Sequence, residues 1–350
     1  MVNTRLVVVT GAGGVGKTTI SAAVGIRAAK MGWRTLVVTV DPARRLADAL
    51  GTQLGPKPSI DPNEPNLGAA MIDAAGSWRI VAQRHADPEV ADRLIANEFF
   101  VAATSQFPAS QSYAAADEAA GFVQSGEWDL VVVDTPPSAG GIEFFTAPAQ
   151  MTDLVGGRLL RFLTGSRLPG RNFFFRAAAR PALRIADSIL GAHLLERVAQ
   201  FLMDLRTTYD GVAARAQTIE RLFATATILV VATSDAGPMG EAARFLEHLP
   251  SVAGEPTAVV FNRSLPEEWI GVASPTDTDP TLAANLDSWS TESERQRDLR
   301  TAFLRHHRVD TISIPLLGTP PTGLTSLSAM IPDHLMATMN IDDRPSKAQH

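Results

Sequence analysis

The chain has 350 residues, enough for one large α/β domain or two smaller ones. Its formal net charge of −6 supplies no basic surface for nucleic acid, and its lack of cysteine excludes disulfides, thiolate zinc sites and a cysteine nucleophile. No apolar stretch reaches the roughly 18–20 residues of a membrane span, and no signal-peptide pattern opens the sequence, so the expectation is a cytoplasmic protein without direct membrane insertion.

In chain order, an apolar β-branched run at 6–10 predicts a first strand. GAGGVGKT follows at 11–18, then a helix-forming run at 20–30. This is G-x-x-x-x-G-K-[ST] in its strand–loop–helix setting. Glycines let backbone N–H groups turn inward on phosphates, and the new helix offers its positive end to the anion. The predicted cradle comprises Gly13, Gly14, Val15, Gly16, Lys17, Thr18 and Thr19. Lys17 would reach β- and γ-phosphates, and the Thr18 hydroxyl would hold Mg²⁺.

A second buried strand at 35–40 stops at Asp41-Pro42, which puts Asp41 at the C-terminal edge of a parallel sheet, where ligands bind. A short helix at 43–50, a surface loop at 52–66 and a short strand at 67–72 follow. Residues 77–124 read as helical, with breaks near 87–88 and 107–108. The strand at 128–133 delivers Asp134 to the same edge, a carboxylate placed for the Mg²⁺ shell. A second helical block covers 143–225; its apolar stripe steps by three and four, with a division expected at Asp210-Gly211. Its aromatic clusters are Phe144-Phe145 and Phe173 to Phe175, and core packing is the plainer reading of the stripe. Strands at 227–233, 257–261 and 309–314 alternate with helices at 238–249 and 290–306, with a loop at 264–288.

The expected fold is therefore α/β: a doubly wound, mostly parallel sheet carrying an inserted helical subdomain. Residues 1–76, 125–142 and 226–335 would form the P-loop core, 77–124 and 143–225 the helical subdomain, and 336–350 a flexible tail.

Three segments read together carry a resemblance: GAGGVGKTT at 11–19, VDPARRLADAL at 40–50 and DLVVVDTPPS at 129–138. The chain resembles the deviant Walker A ATPases of the SIMIBI class, and within them the arsenite-pump and tail-anchored-protein targeting ATPases. Weaker matches are Asn66 to Asp73, Glu241 to Arg244, Asn262 after a strand, and Pro315-Leu-Leu317. The resemblance implies Mg-ATP hydrolysis in a dimer whose closure is coupled to the helical subdomain. It assigns phosphates to Lys17 and the loop amides, Mg²⁺ to Thr18 and Asp134, the attacking water to Asp41, and adenine to Asn262 and the backbone near Pro315. A turn role for Asn262 and a solvated helix face for Arg44 and Arg45 are plainer readings of the same residues.

Three departures matter. The family's loop carries a lysine that reaches across the dimer, and here that position is Ala12. The absent charge predicts strong Mg-ATP binding with slow hydrolysis in a homodimer, unless a paralogous ATPase supplies the lysine in a heterodimer or Arg44 or Arg45 replaces it. Without cysteine, neither a thiolate arsenite site nor a zinc-pinned dimer can form. Switch II reads Ser138-Ala-Gly-Gly-Ile142, without the family's histidine. The leading expectation is a targeting or chaperone factor for hydrophobic membrane-protein segments; the alternative is an ATP-binding regulatory subunit. A partition or septum-site positioning ATPase and an arsenite pump ATPase rank below both.

Overall fold

The computed structural model describes residues 4–40, 45–106, 108–136, 141–156, 192–272 and 279–342. Eight strands build one sheet: β1 (Arg5–Gly11), β2 (Thr35–Thr39), β3 (Ser59–Asp61), β4 (Glu64–Met71), β5 (Leu130–Asp134), β6 (Thr227–Ala232), β7 (Ala258–Ser264) and β8 (Asp310–Pro315). Their order is β3-β4-β2-β5-β1-β6-β7-β8, with every pairing parallel except β3 with β4. The expected doubly wound α/β fold is present. The central strands are apolar on both faces: Leu130 to Val133 and Ile228 to Ala232 are all fully buried. That continuous run is what a parallel sheet covered by helices requires.

The chain divides into two compact units, one of residues 1–72, 119–145 and 221–350, the other of 73–118 and 146–220. In the first, α1 (Lys17–Lys30) lies so close to the sheet that a Cβ at Gly25 would meet Val37 Cγ2 at 2.1 Å. The unit also holds α2 (Arg45–Leu50).

Helices α3 (Ala74–His85), α4 (Pro88–Ala96), α5 (Glu98–Gln106), α6 (Pro108–Ser125), α7 (Gly141–Gly156), α8 (Ala192–Thr207) and α9 (Tyr209–Phe223) follow. The break at Asp87-Pro88 is seen, and a further one falls at Asn97, whose Oδ1 accepts the Phe99 N–H at 2.9 Å. The second block divides at Thr208 rather than at Asp210-Gly211. The Thr207 and Thr208 hydroxyls donate to the carbonyls of Asp204 and Leu205, each at 2.7 Å, and finish the helix there. In the second unit, Trp78 stacks on Tyr113 (5.4 Å) and meets Phe100 edge-on (6.2 Å). Buried Asp117 accepts hydrogen bonds from Arg84 and Arg215. Phe144 and Phe145 belong to the first unit, where they pack on Phe223 at 5.2 and 5.1 Å and are fully buried. The Phe173 to Phe175 cluster lies outside the described residues.

Three further expectations are corrected. The loop expected at 52–66 contains β3, joined to β4 by the two-residue turn Pro62-Asn63, with Asp61 Oδ1 accepting the Asn63 N–H at 2.8 Å. After α10 (Ala236–Val252), the helix expected from 290 starts ten residues earlier, as α11 (Pro280–His306). Asp279 caps it by accepting the Thr281 and Leu282 N–H groups, and Pro280 occupies its first position. Finally, 336–342 is no tail. After α12 (Gly323–Ala329) comes α13 (Asp333–Thr338), and Leu335, Met336, Met339 and Ile341 are buried in the core of the sheet unit. Trp33 Nε1 donates to the Asp342 carbonyl at 2.7 Å, while the Arg5 guanidinium lies 5.2 Å over the Trp33 ring and donates to the Met339 carbonyl. Among the described residues, no helix is long and apolar enough to cross a membrane.

Candidate functional site

The site grows from the end of β1. Gly11 (φ +142°), Gly14 (+79°) and Gly16 (+96°) hold backbone conformations that side chains disfavour. Gly16 is doubly constrained, because a Cβ there would sit 2.3 Å from Asn262 Nδ2. Helix α1 starts at the next residue, so its first N–H groups face the loop's concavity. Lys17 is 5 % exposed, and its ammonium donates to the carbonyls of Gly11 (3.0 Å) and Ala12 (2.7 Å). Ala12 itself is buried, whereas Gly13 and Gly14 face outward.

Parallel register places Val9 of β1 and Thr39 of β2 on either side of Asp134, the last residue of β5. The Asp134 carboxylate is fully buried. It accepts the Thr18 hydroxyl at 2.7 Å and the Thr39 hydroxyl at 3.0 Å, with Ser21 Oγ 3.5 Å from its other oxygen. Thr135 is tied back to the Val9 carbonyl at 3.0 Å. One hydroxyl and one carboxylate, 2.7 Å apart and oriented by neighbours, form a hard-oxygen donor set. That chemistry fits Mg²⁺, which takes one or two protein oxygens and completes its shell with phosphates and water.

A cavity of about 360 Å³ opens in front of this loop, within the size range of small-ligand sites. Gly14, Gly16, Lys17, Thr18 and Thr19 form its floor. Arg45 and Asp48 of α2 border it, as do Thr135 and Arg263. Asp41 and Arg44 lie outside the described residues. The structure thus brings Lys17, Thr18, Thr19, the loop glycines and Asp134 together.

Asn262, read from sequence as an adenine contact, has two other partners. Its Nδ2 donates to the Val15 carbonyl at 2.8 Å, and its Oδ1 accepts the Arg263 N–H at 3.0 Å. It is 5 % exposed. Pro315 ends the edge strand β8 opposite Ser264 and is exposed. Sequence reasoning missed Thr39, Ser21 and Arg263. A threonine at a strand end and a serine one turn into α1 carry no motif of their own, so only the strand order reveals them.

A family model for anion-transporting ATPases matches residues 4–330. The chain belongs to that family. It is an ATPase, and membership implies a nucleotide ligand. An uncharacterized protein of Streptomyces coelicolor is 29 % identical over 332 residues, covering 93 % of this chain and 75 % of its own length. A putative arsenical pump-driving ATPase of Halobacterium salinarum is 33 % identical over 150 residues, 42 % of this chain but 23 % of that protein. The get3 ATPase of Aspergillus terreus is 25 % identical over 265 residues, 75 % of this chain and 73 % of its own length.

Proposed function

We propose that the chain binds Mg-ATP in this cavity, hydrolyses it slowly when alone, and couples the nucleotide state to its helical unit. The observation that carries this reading is the Thr18–Asp134 pair beside Lys17 in a glycine loop at the head of α1. On binding, Lys17 exchanges the carbonyls of Gly11 and Ala12 for β- and γ-phosphate oxygens, and the amides of 13–19 take the remaining phosphate charge. Thr18 and Asp134 hold Mg²⁺, which when bound neutralises charge on the phosphate oxygens. Thr39 and Ser21 keep the carboxylate oriented. In this reading the attacking water is assigned to Asp41, which follows β2 by two positions in the sequence.

Ala12 sets the rate. In related sites a cross-acting cation contributes about 10³–10⁵ in turnover, and Ala12 brings none. The productive assembly is then a dimer, either with a paralogous ATPase that carries the lysine or with a second copy assisted by Arg45 at the cavity rim. Steady-state ATPase assays test this: Lys17→Ala abolishes turnover, and Ala12→Lys, or mixing with such a paralogue, raises it at least tenfold. Turnover in Lys17→Ala equal to wild type would refute the site.

The finer reading is a cytoplasmic targeting or chaperone factor for hydrophobic membrane-protein segments. It is supported by the likeness to the fungal get3 ATPase and by the exposed Ile80, Val101 and Met203 of the helical unit. Phe144 and Phe145 do not contribute, since they are buried against Phe223. The apolar cavity within that unit, about 40 Å³ and lined by Trp78, Phe100 and Leu205, is too small for a helix. Co-purification with a peptide of about 20 apolar residues, lost in the triple variant Ile80→Asp, Val101→Asp, Met203→Asp, is the expected result. The second reading, an ATP-binding regulatory subunit, draws on Ala12 alone; a single-turnover assay without product distinguishes it.

A further inference from the structure

Resting on the nucleotide reading, we infer that Arg263 contacts the nucleoside end of the bound nucleotide and that Asn262 positions it. The sheet order supplies the orientation. The Mg²⁺ donors Thr18 and Asp134 lie on the β5 side of β1, whereas β7 lies two strands away on the opposite side. A cation entering the cavity from β7 therefore meets the end of the nucleotide remote from Mg²⁺.

Four features converge on Arg263. The β7–β8 register shifts between Phe261 and Ser264, a bulge of the kind that re-aims a side chain at a site. Arg263 holds φ +57°, a left-handed conformation that strains a non-glycine residue. Such strain gathers where function requires the side chain. Asn262 fixes this conformation by accepting the Arg263 N–H, and the same amide donates to the Val15 carbonyl of the phosphate loop. Bulge and loop are thus one rigid corner. Lastly, the exposed Arg263 side chain borders the cavity, and among the described residues its guanidinium has no hydrogen bond or ion pair. A glycine would satisfy the backbone better, so the structure retains the arginine for its side chain.

Calorimetric titration of wild type, Arg263→Ala, Arg263→Gly and Lys17→Ala with Mg-ATP, Mg-ADP and Mg-tripolyphosphate tests the assignment. Arg263→Ala and Arg263→Gly are expected to weaken ATP and ADP alike, by about tenfold, the size of one charge-assisted contact. Tripolyphosphate, which has no nucleoside, is expected to bind them as it binds wild type. Arg263→Gly also raises Tm by a few degrees through relief of the left-handed strain, so weaker binding there cannot be a folding defect. Equal weakening of tripolyphosphate, or unchanged ATP affinity, overturns the inference. ATP binding that survives Lys17→Ala overturns the nucleotide reading beneath it instead.

Discussion

Gly16 carries two demands at once: a φ of +96° and a neighbour, Asn262 Nδ2, in the space a Cβ would take. Gly16→Ala adds left-handed strain of roughly 1–2 kcal/mol and displaces an amide whose bond to Val15 contributes about 1 kcal/mol. The expected loss of stability is thus about 2–3 kcal/mol, read as a lowered denaturation midpoint. The penalty should fall to the strain alone when Asn262→Gly removes the obstructing side chain, so a double-mutant cycle will show non-additivity of about 1 kcal/mol. A glycine-rich loop was legible from residue types alone, because its conformations are local. The contact that makes Gly16 irreplaceable was not, because Asn262 and Val15 stand 247 positions apart.

At the scale of elements, most helices and strands followed from period and punctuation. The exceptions share a cause. Residues 336–342 are polar at alternate places and lack a long apolar run, so they read as a tail. The fold instead uses their few apolar side chains to close the core, with Met336 and Ile341 each 1 % exposed. Truncating a buried Met or Ile to Ala costs about 2–5 kcal/mol, a large share of a typical total of about 5–15. Met336→Ala and Ile341→Ala should each lower Tm by several degrees in a thermal melt, where a tail would show no change. The early start of α11 has the same character. Asp279 and Pro280 are sound start signals, but they sit in a segment whose prolines and acids disguise them.

At the scale of the whole chain, two partly buried titratable groups of the helical unit tie stability to pH. In the helical unit the His85 ring is half-buried, and among the described residues its buried Nε2 has no hydrogen-bond partner. Desolvation is the main cause that lowers its pKa below the usual 6.5, with Arg84 and Arg215 adding to the effect and Asp117 opposing it. The unfolded chain then binds the proton more readily than the native one, so stability holds above pH 6.5 and declines as pH falls below it. Hydrogen exchange in α3 and α9 should accelerate over that range, and His85→Gln should flatten the dependence. Glu118 acts in the opposite sense. Burial raises its pKa, so the native state holds the proton more tightly and stability declines as pH rises from 4.5 through the raised value. Glu118→Gln, which can keep the bond with Ser77, should remove that decline.

By itself the sequence determined the phosphate loop, the alternation of strands and helices, and the arrival of Asp134 at a strand end beside that loop. Each is written in a local pattern of residue types, in period two, period 3.6 or a fixed motif. Only the tertiary structure decided which side chains converge there. Thr18 and Asp134 are 116 positions apart, and Thr39 meets the same carboxylate only because β2 and β1 flank β5. Arg263 reaches the cavity because a bulge turns it there. Strand order and register emerge from the packing of the whole sheet, and no local pattern encodes them.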